Sequence, residues 1–140
     1  RVTADHSAGH CTSRQFYKSI LADDARSAFV SLVRVAKGAD KSDSRQLNKN
    51  LLLSKRAVAV SRPELQIDAD DVSCAHGSAT GQLRPEELFY LRSRGIDPKT
   101  ASLMVTEGFA AEVLEDLPEI PLKEELAELV KLKILEVAKI

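Results

Sequence analysis

Ala28-Phe29-Val30-Ser31-Leu32-Val33-Arg34-Val35, followed by Lys37-Gly38-Ala39-Asp40, reads as a strand and the turn that ends it. Successive side chains on a strand point to opposite faces, so the alternation in Leu32-Val33-Arg34-Val35 predicts one buried face. The same alternation recurs in Leu65-Gln66-Ile67. Further short runs of strand character lie at 15–21, 46–53, 57–60, 64–68 and 72–76. They are punctuated by Asp23-Asp24 and Arg62-Pro63, residue pairs that favour turns for backbone reasons. Turn signals at roughly 8–12-residue intervals are the spacing of all-β proteins. No helical segment of adequate length interrupts this half, which argues against a doubly wound α/β sheet. A sandwich and a stacked parallel β-helix both fit, and the pattern does not choose between them.

After Leu83 the apolar period changes to that of a helix. The first candidate opens with Pro85 at the first helical position and Glu86 and Glu87 in the first turn, and ends with Arg92 and Arg94 before Gly95. The second has Asp97 as its cap and Pro98 just inside, then runs through Met104, Phe109 and Val113 to about Leu117, where Pro118 stops it. Gly108 sits in its middle, at a cost of about 1 kcal/mol relative to alanine, and suggests close packing against a neighbour. The last begins at Pro121 with an apolar stripe of Leu122, Leu126, Leu129, Val130, Ile134 and Val137. Leu132, Leu135 and Ile140 widen that stripe beyond the need of one surface helix. Packing against the other helices explains it, and so does a docking face for another subunit. The chain is therefore expected to divide into a β part, 1–83, and a helical part, 84–140.

Composition narrows the function. The 140 residues carry 20 basic and 21 acidic side chains, so no global field draws the chain to nucleic acid or to an anionic membrane. Aromatics make up only 4%, too few for the stacking platforms of single-strand binders. No run approaches the roughly 18 apolar residues of a membrane span, and no signal-peptide pattern opens the sequence. The two cysteines, Cys11 and Cys74, are too few for a disulfide framework and read as free thiols. No Gly-rich phosphate loop is present, so any nucleotide hydrolysis is left to a partner. Starting on Arg1 and entering a motif-dense stretch at once, the sequence reads as part of a longer polypeptide.

Two groups of residues invite a chemical reading. Asp5, His6, His10 and Cys11 offer potential metal ligands within a short span, but their spacing matches no standard zinc site, and a solvated loop is the plainer expectation. Cys74 and His76 stand two apart; on a strand they share a face, with Cα atoms roughly 6.5–7 Å apart. That is long for a thiol–imidazole hydrogen bond and disfavours a cysteine-protease-like dyad. Both groups are nonetheless good ligands for iron. Spacing alone reads Cys74 as a small buried hydrophobe and His76 as a hydrogen-bonded loop residue. Asn48 and Asn50, also two apart, are expected to stack in an amide ladder.

Three blocks carry a resemblance. Ser13-Arg14-Gln15 through Lys18, with the later Gln46-Leu47-Asn48-Lys49-Asn50-Leu51-Leu52-Leu53-Ser54, is the first. Ile67-Asp68-Ala69-Asp70-Asp71-Val72-Ser73-Cys74-Ala75-His76-Gly77 is the second, and Glu87-Leu88-Phe89-Tyr90-Leu91-Arg92-Ser93-Arg94-Gly95-Ile96 the third. In this order and spacing they resemble the SufB/SufD family of the Suf iron–sulfur cluster assembly system, across most of residues 13–117. Asn48, where SufB-like chains carry cysteine, and Gly77, where they carry glutamate, point to the SufD type. Ala75 departs from the serine expected there.

The resemblance implies the last coils of a right-handed parallel β-helix followed by a C-terminal helical domain. It implies a non-catalytic scaffold subunit that docks a SufC-like ATPase through helices 84–140 and a SufB-like paralogue, or a second copy, through the β-helix. A purely structural interaction module is the other reading. His76 would face the partner where a nascent cluster forms, with Cys74 beside it. No cofactor would be permanently bound, and a transient iron–sulfur cluster would be shared with the partner. Bacterial cytoplasm and, alternatively, plastid stroma are the compartments that the resemblance implies.

Overall fold

The computed structural model describes residues 1–115, 117–118 and 121–138. Six strands come first: β1 (Val2–His6), β2 (Thr12–Leu21), β3 (Arg26–Val35), β4 (Asp43–Leu52), β5 (Val58–Ile67) and β6 (Ser73–Gln82). Three helices follow: α1 (Pro85–Ser93), α2 (Pro98–Glu115) and α3 (Pro121–Ala138). The strands form two three-stranded sheets in the orders β1-β3-β5 and β2-β4-β6, so every connection carries the chain from one sheet to the other. Pairing is parallel, with Val2 opposite Ser31 and His6 opposite Val35. Consecutive strands are never paired with each other, so hairpins play no part. The alternation read from sequence thus resolves into two parallel sheets visited in turn, a mixed β and α architecture.

Besides shifts of a few residues at the strand ends, three elements differ from expectation. Residues 57–60 and 64–68 are a single strand, β5, running through Arg62-Pro63. A proline is tolerated there because β5 is an edge strand and its missing N–H opens no gap in a ladder. Residues 2–6, expected as a solvated loop, form β1. The strand expected to end at His76 continues as β6 to Gln82, through small residues that hydropathy does not mark.

The chain groups into two compact units, 1–17, 27–49 and 59–79 in one, and 18–26, 50–58 and 80–140 in the other. In the first, the fully buried Val33, Val35 and Ala39 form a core against which Ala4, Leu65, Ala69, Val72 and Cys74 pack. Beside these the interior is polar, and Ser31, Ser44, Gln46 and Asn48 are all buried. Burying such groups is tolerable only when they bond to one another. The Ser31 hydroxyl donates to Gln46 Oε1 (2.5 Å), and Ser61 donates to Asn48 Oδ1 (2.6 Å). The turns of this unit stack closely: a Cβ at Gly9 would stand 2.9 Å from the Asp40 carbonyl oxygen, a contact no other residue type could make without a shift.

In the second unit, Arg56 grips both carboxylate oxygens of Asp24 (2.5 and 3.1 Å), and Ser54 donates to the Asp23 carbonyl. The helices begin where the sequence signals place them; α2 closes at Glu115, short of the expected Leu117, and the expected continuation of α3 to Ile140 lies outside the described residues. Gly95 takes a left-handed φ of +85° after α1, and Pro98 and Pro121 open α2 and α3. Ala101, Thr106 and Ala110 are the buried residues of α2, and Ile134 is buried on α3. Gly108, expected to permit close packing, is exposed, and nothing lies within 4 Å of the position its Cβ would take. It is therefore an uncompensated helix-interior glycine. Gly108→Ala is expected to raise stability by about 0.5–1 kcal/mol and the thermal midpoint by a few degrees. Calorimetry of the two proteins checks this.

Asp97 caps α2 as its sequence position implies. Its carboxylate accepts from the Thr100 hydroxyl (2.5 Å) and from the backbone N–H groups of Thr100 (3.1 Å) and Lys99 (3.0 Å). Those donors hold its pKa below the usual 3.8, the Thr100 hydroxyl foremost. A carboxyl with a lowered folded-state pKa adds stability that is complete above its unfolded value and fades as pH falls through the folded one. Replacing the aspartate by asparagine would keep a capping acceptor but not the titration. The stability advantage of wild type over Asp97→Asn should accordingly shrink as pH drops below about 4, which acid titration of the two helicities measures.

Candidate functional site

β6 has a neighbour in its sheet on one side only, because it follows β4 at the end of the order β2-β4-β6. The Ser73 N–H donates to the Ser42 carbonyl (2.9 Å), and Asn50 Nδ2 donates to Thr80 Oγ1 (3.1 Å). This register sets Cys74 beside Ser44 and His76 beside Gln46. Ser44 and Gln46 are buried, so Cys74 and His76 lie on the column of side chains that faces inward. Their environments differ. Cys74 is half-buried against Val33, Val35 and Ala39, a free thiol serving as a small apolar group. His76 is exposed, and no described residue hydrogen-bonds to its ring. Position along the strand separates them: Cys74 packs on the buried cluster of Val33, Val35 and Ala39, and His76, two residues further on, is exposed.

The structure thus puts the two sequence-selected residues on one strand and one face, as their spacing required, without joining them. No thiol–imidazole hydrogen bond forms, which removes the pairing a thiol hydrolase would start from. Gly77 points the other way. A Cβ there would stand 3.2 Å from Leu47 Cδ1, so the side chain next in sequence to His76 belongs to the opposite face of the sheet.

Asp5, His6, His10 and Cys11 are not brought together. Asp5 and His6 are neighbours on β1 and therefore face opposite ways. Exposed Asp5 pairs with Arg34 (3.1 Å), whereas His6 is buried with its Nε2 2.9 Å from Ser13 Oγ. His10 is exposed in a turn at φ +61°, and Cys11 is half-buried and free. Among the described residues no three His, Cys, Asp or Glu side chains gather as a metal set.

Ser13, Gln15, Ser44 and Gln46, which are not candidate site residues in the sequence, line the same interior. His6, Ser13 and Ser44 form a continuous hydrogen-bonded line, Ser13 Oγ lying 2.9 Å from Ser44 Oγ. Gln46 Nε2 donates to Gln15 Oε1 (2.6 Å), an amide pair between strands, and Asn48 and Asn50 are bonded as well, Asn48 accepting from Ser61 and Asn50 donating to Thr80. The available signal was Ser44-x-Gln46-x-Asn48-x-Asn50, a strict alternation of polar side chains that hydropathy reads as a solvated face. On the outer face of the same sheet Arg14 bonds Asp43 (2.7 Å). That guanidinium, with Arg45 adding to it, holds the Asp43 carboxyl below its ordinary pKa.

Comparison with known proteins accords with this geometry. Residues 1–109 match the family model of the SUF system FeS cluster assembly SufBD core domain. The chain is 43% identical over 126 residues to the iron–sulfur cluster assembly protein SufD of Escherichia coli, covering 90% of this chain and 30% of that protein. It is 40% identical over 109 residues to a SufBD family protein of Synechocystis, covering 78% of this chain and 24% of the relative. A chloroplastic Arabidopsis thaliana protein, ABCI7, is 39% identical over 132 residues, 94% of this chain and 27% of the relative. The chain thus spans between about a quarter and a third of the length of these relatives, and it belongs to the SufBD family of the SUF iron–sulfur cluster assembly system.

Proposed function

We propose that the chain is part of a non-catalytic scaffold subunit of a Suf-type iron–sulfur cluster assembly complex. The observation that carries this reading is His76: an exposed imidazole with no hydrogen-bond partner among the described residues, two residues from a thiol, on the terminal strand of a sheet in a member of the SufBD family. A thiolate and an imidazole supply two protein ligands at most, whereas iron–sulfur clusters are ordinarily held by about four. A cluster held here therefore needs further ligands, and in this reading a partner protein supplies them. An incomplete site suits a scaffold, since a cluster being built must later be released, and an open ligand set parts more readily than a closed cage. The cluster is cargo rather than a resident cofactor.

In this reading the two alternating parallel sheets are the last coils of a right-handed β-helix whose end at β6 meets a SufB-like paralogue or a second copy. The helices from 84 onward dock an ATPase of the SufC type. Exposed Phe89, Tyr90 and Met104 on α1 and α2, and Leu122, Leu129 and Leu132 on α3, give that docking an apolar surface. Among the described residues no helix is long and apolar enough to cross a membrane. The bacterial and chloroplastic relatives support a bacterial cytoplasmic or plastid setting. The test is reconstitution from the full-length protein, its paralogue and the ATPase, with iron, sulfide and ATP supplied, followed by the visible absorption of the nascent cluster. Omitting this subunit should abolish cluster formation; full formation without it would overturn the proposal.

A further inference from the structure

We draw no further inference here: the strongest candidate, the apolar cleft of about 240 Å³ where Ile20 of β2 meets Ala110 and Val113 of α2 and Val130, Ile134 and Val137 of α3, has both of its lysines, Lys18 and Lys133, already paired with Glu112 and Glu136, and nothing in the structure shows what covers it.

Discussion

His76→Ala in the full-length protein should leave folding intact and abolish cluster formation by the whole complex. The structural half of this expectation follows from exposure. No described residue bonds to the ring, so truncation leaves no buried group unpaired and no cavity, and stability should change by no more than about 0.5 kcal/mol. The functional half follows from ligand count. If the site offers the cluster one imidazole and one thiolate, losing the imidazole halves this chain's share, and the remaining thiol is half-buried against Val33, Val35 and Ala39. Two measurements on the same variant separate the outcomes. Thermal unfolding reports the fold, and iron and sulfide retained by the reconstituted complex report the role. A stable variant that assembles cluster at the wild-type rate would remove His76 from the mechanism. Cys74→Ser is the companion: a polar hydroxyl against an apolar core should cost stability, so its assembly defect is interpretable only beside its unfolding midpoint.

Legibility along this chain followed the kind of signal available. The three helices could be placed from sequence because proline, glycine and a capping aspartate mark their ends through backbone chemistry, which acts locally whatever packs around it. The strand at 28–35 could be placed because its inward residues Val33 and Val35 are apolar and its outward Arg34 is charged. β4 gave a weak signal because its inward column is hydroxyls and amides, whose burial depends on partners thirty or so residues away, and β6 because it is largely exposed and carries few apolar side chains. Pro63 misled for a related reason: whether a proline breaks a strand depends on whether its N–H faces a neighbour, a property of sheet order and not of local sequence. The site was half legible. Two-residue spacing placed Cys74 and His76 on one face, but that one is packed and the other open depends on how far the cluster of Val33, Val35 and Ala39 reaches along β6, which no local pattern records.

Lys18→Ala should cost about 2–3 kcal/mol and loosen α2. Lysine is among the side chains least often buried, yet that of Lys18 is only 4% exposed. Its ammonium donates to the backbone carbonyl of Phe109 and to the carboxylate of Glu112, and it lies 4.2 Å from the centre of the Phe109 ring. One cation on β2 thus holds two consecutive turns of α2 by an ion-paired hydrogen bond to a carboxylate, a charge-assisted one to a backbone carbonyl and a cation–π contact. Truncation to alanine forfeits those contacts and the packing of the methylenes beyond Cβ, at about 0.8 kcal/mol per buried methylene. The recovered solvation of the ammonium offsets part of the loss. Glu112, being 40% exposed, can turn to water, so the full penalty of a stranded buried charge does not arise. Lys18→Met isolates the electrostatic share: it keeps the stem and should lose about half as much. Denaturant midpoints rank the variants, and amide exchange along residues 106–113 locates the effect, with protection falling there in Lys18→Ala and less in Lys18→Met. An unchanged midpoint with full protection of that segment would mean that α2 is held by the apolar contacts of Ala101, Ala110 and Ile134 alone, and that the lysine is buried without consequence.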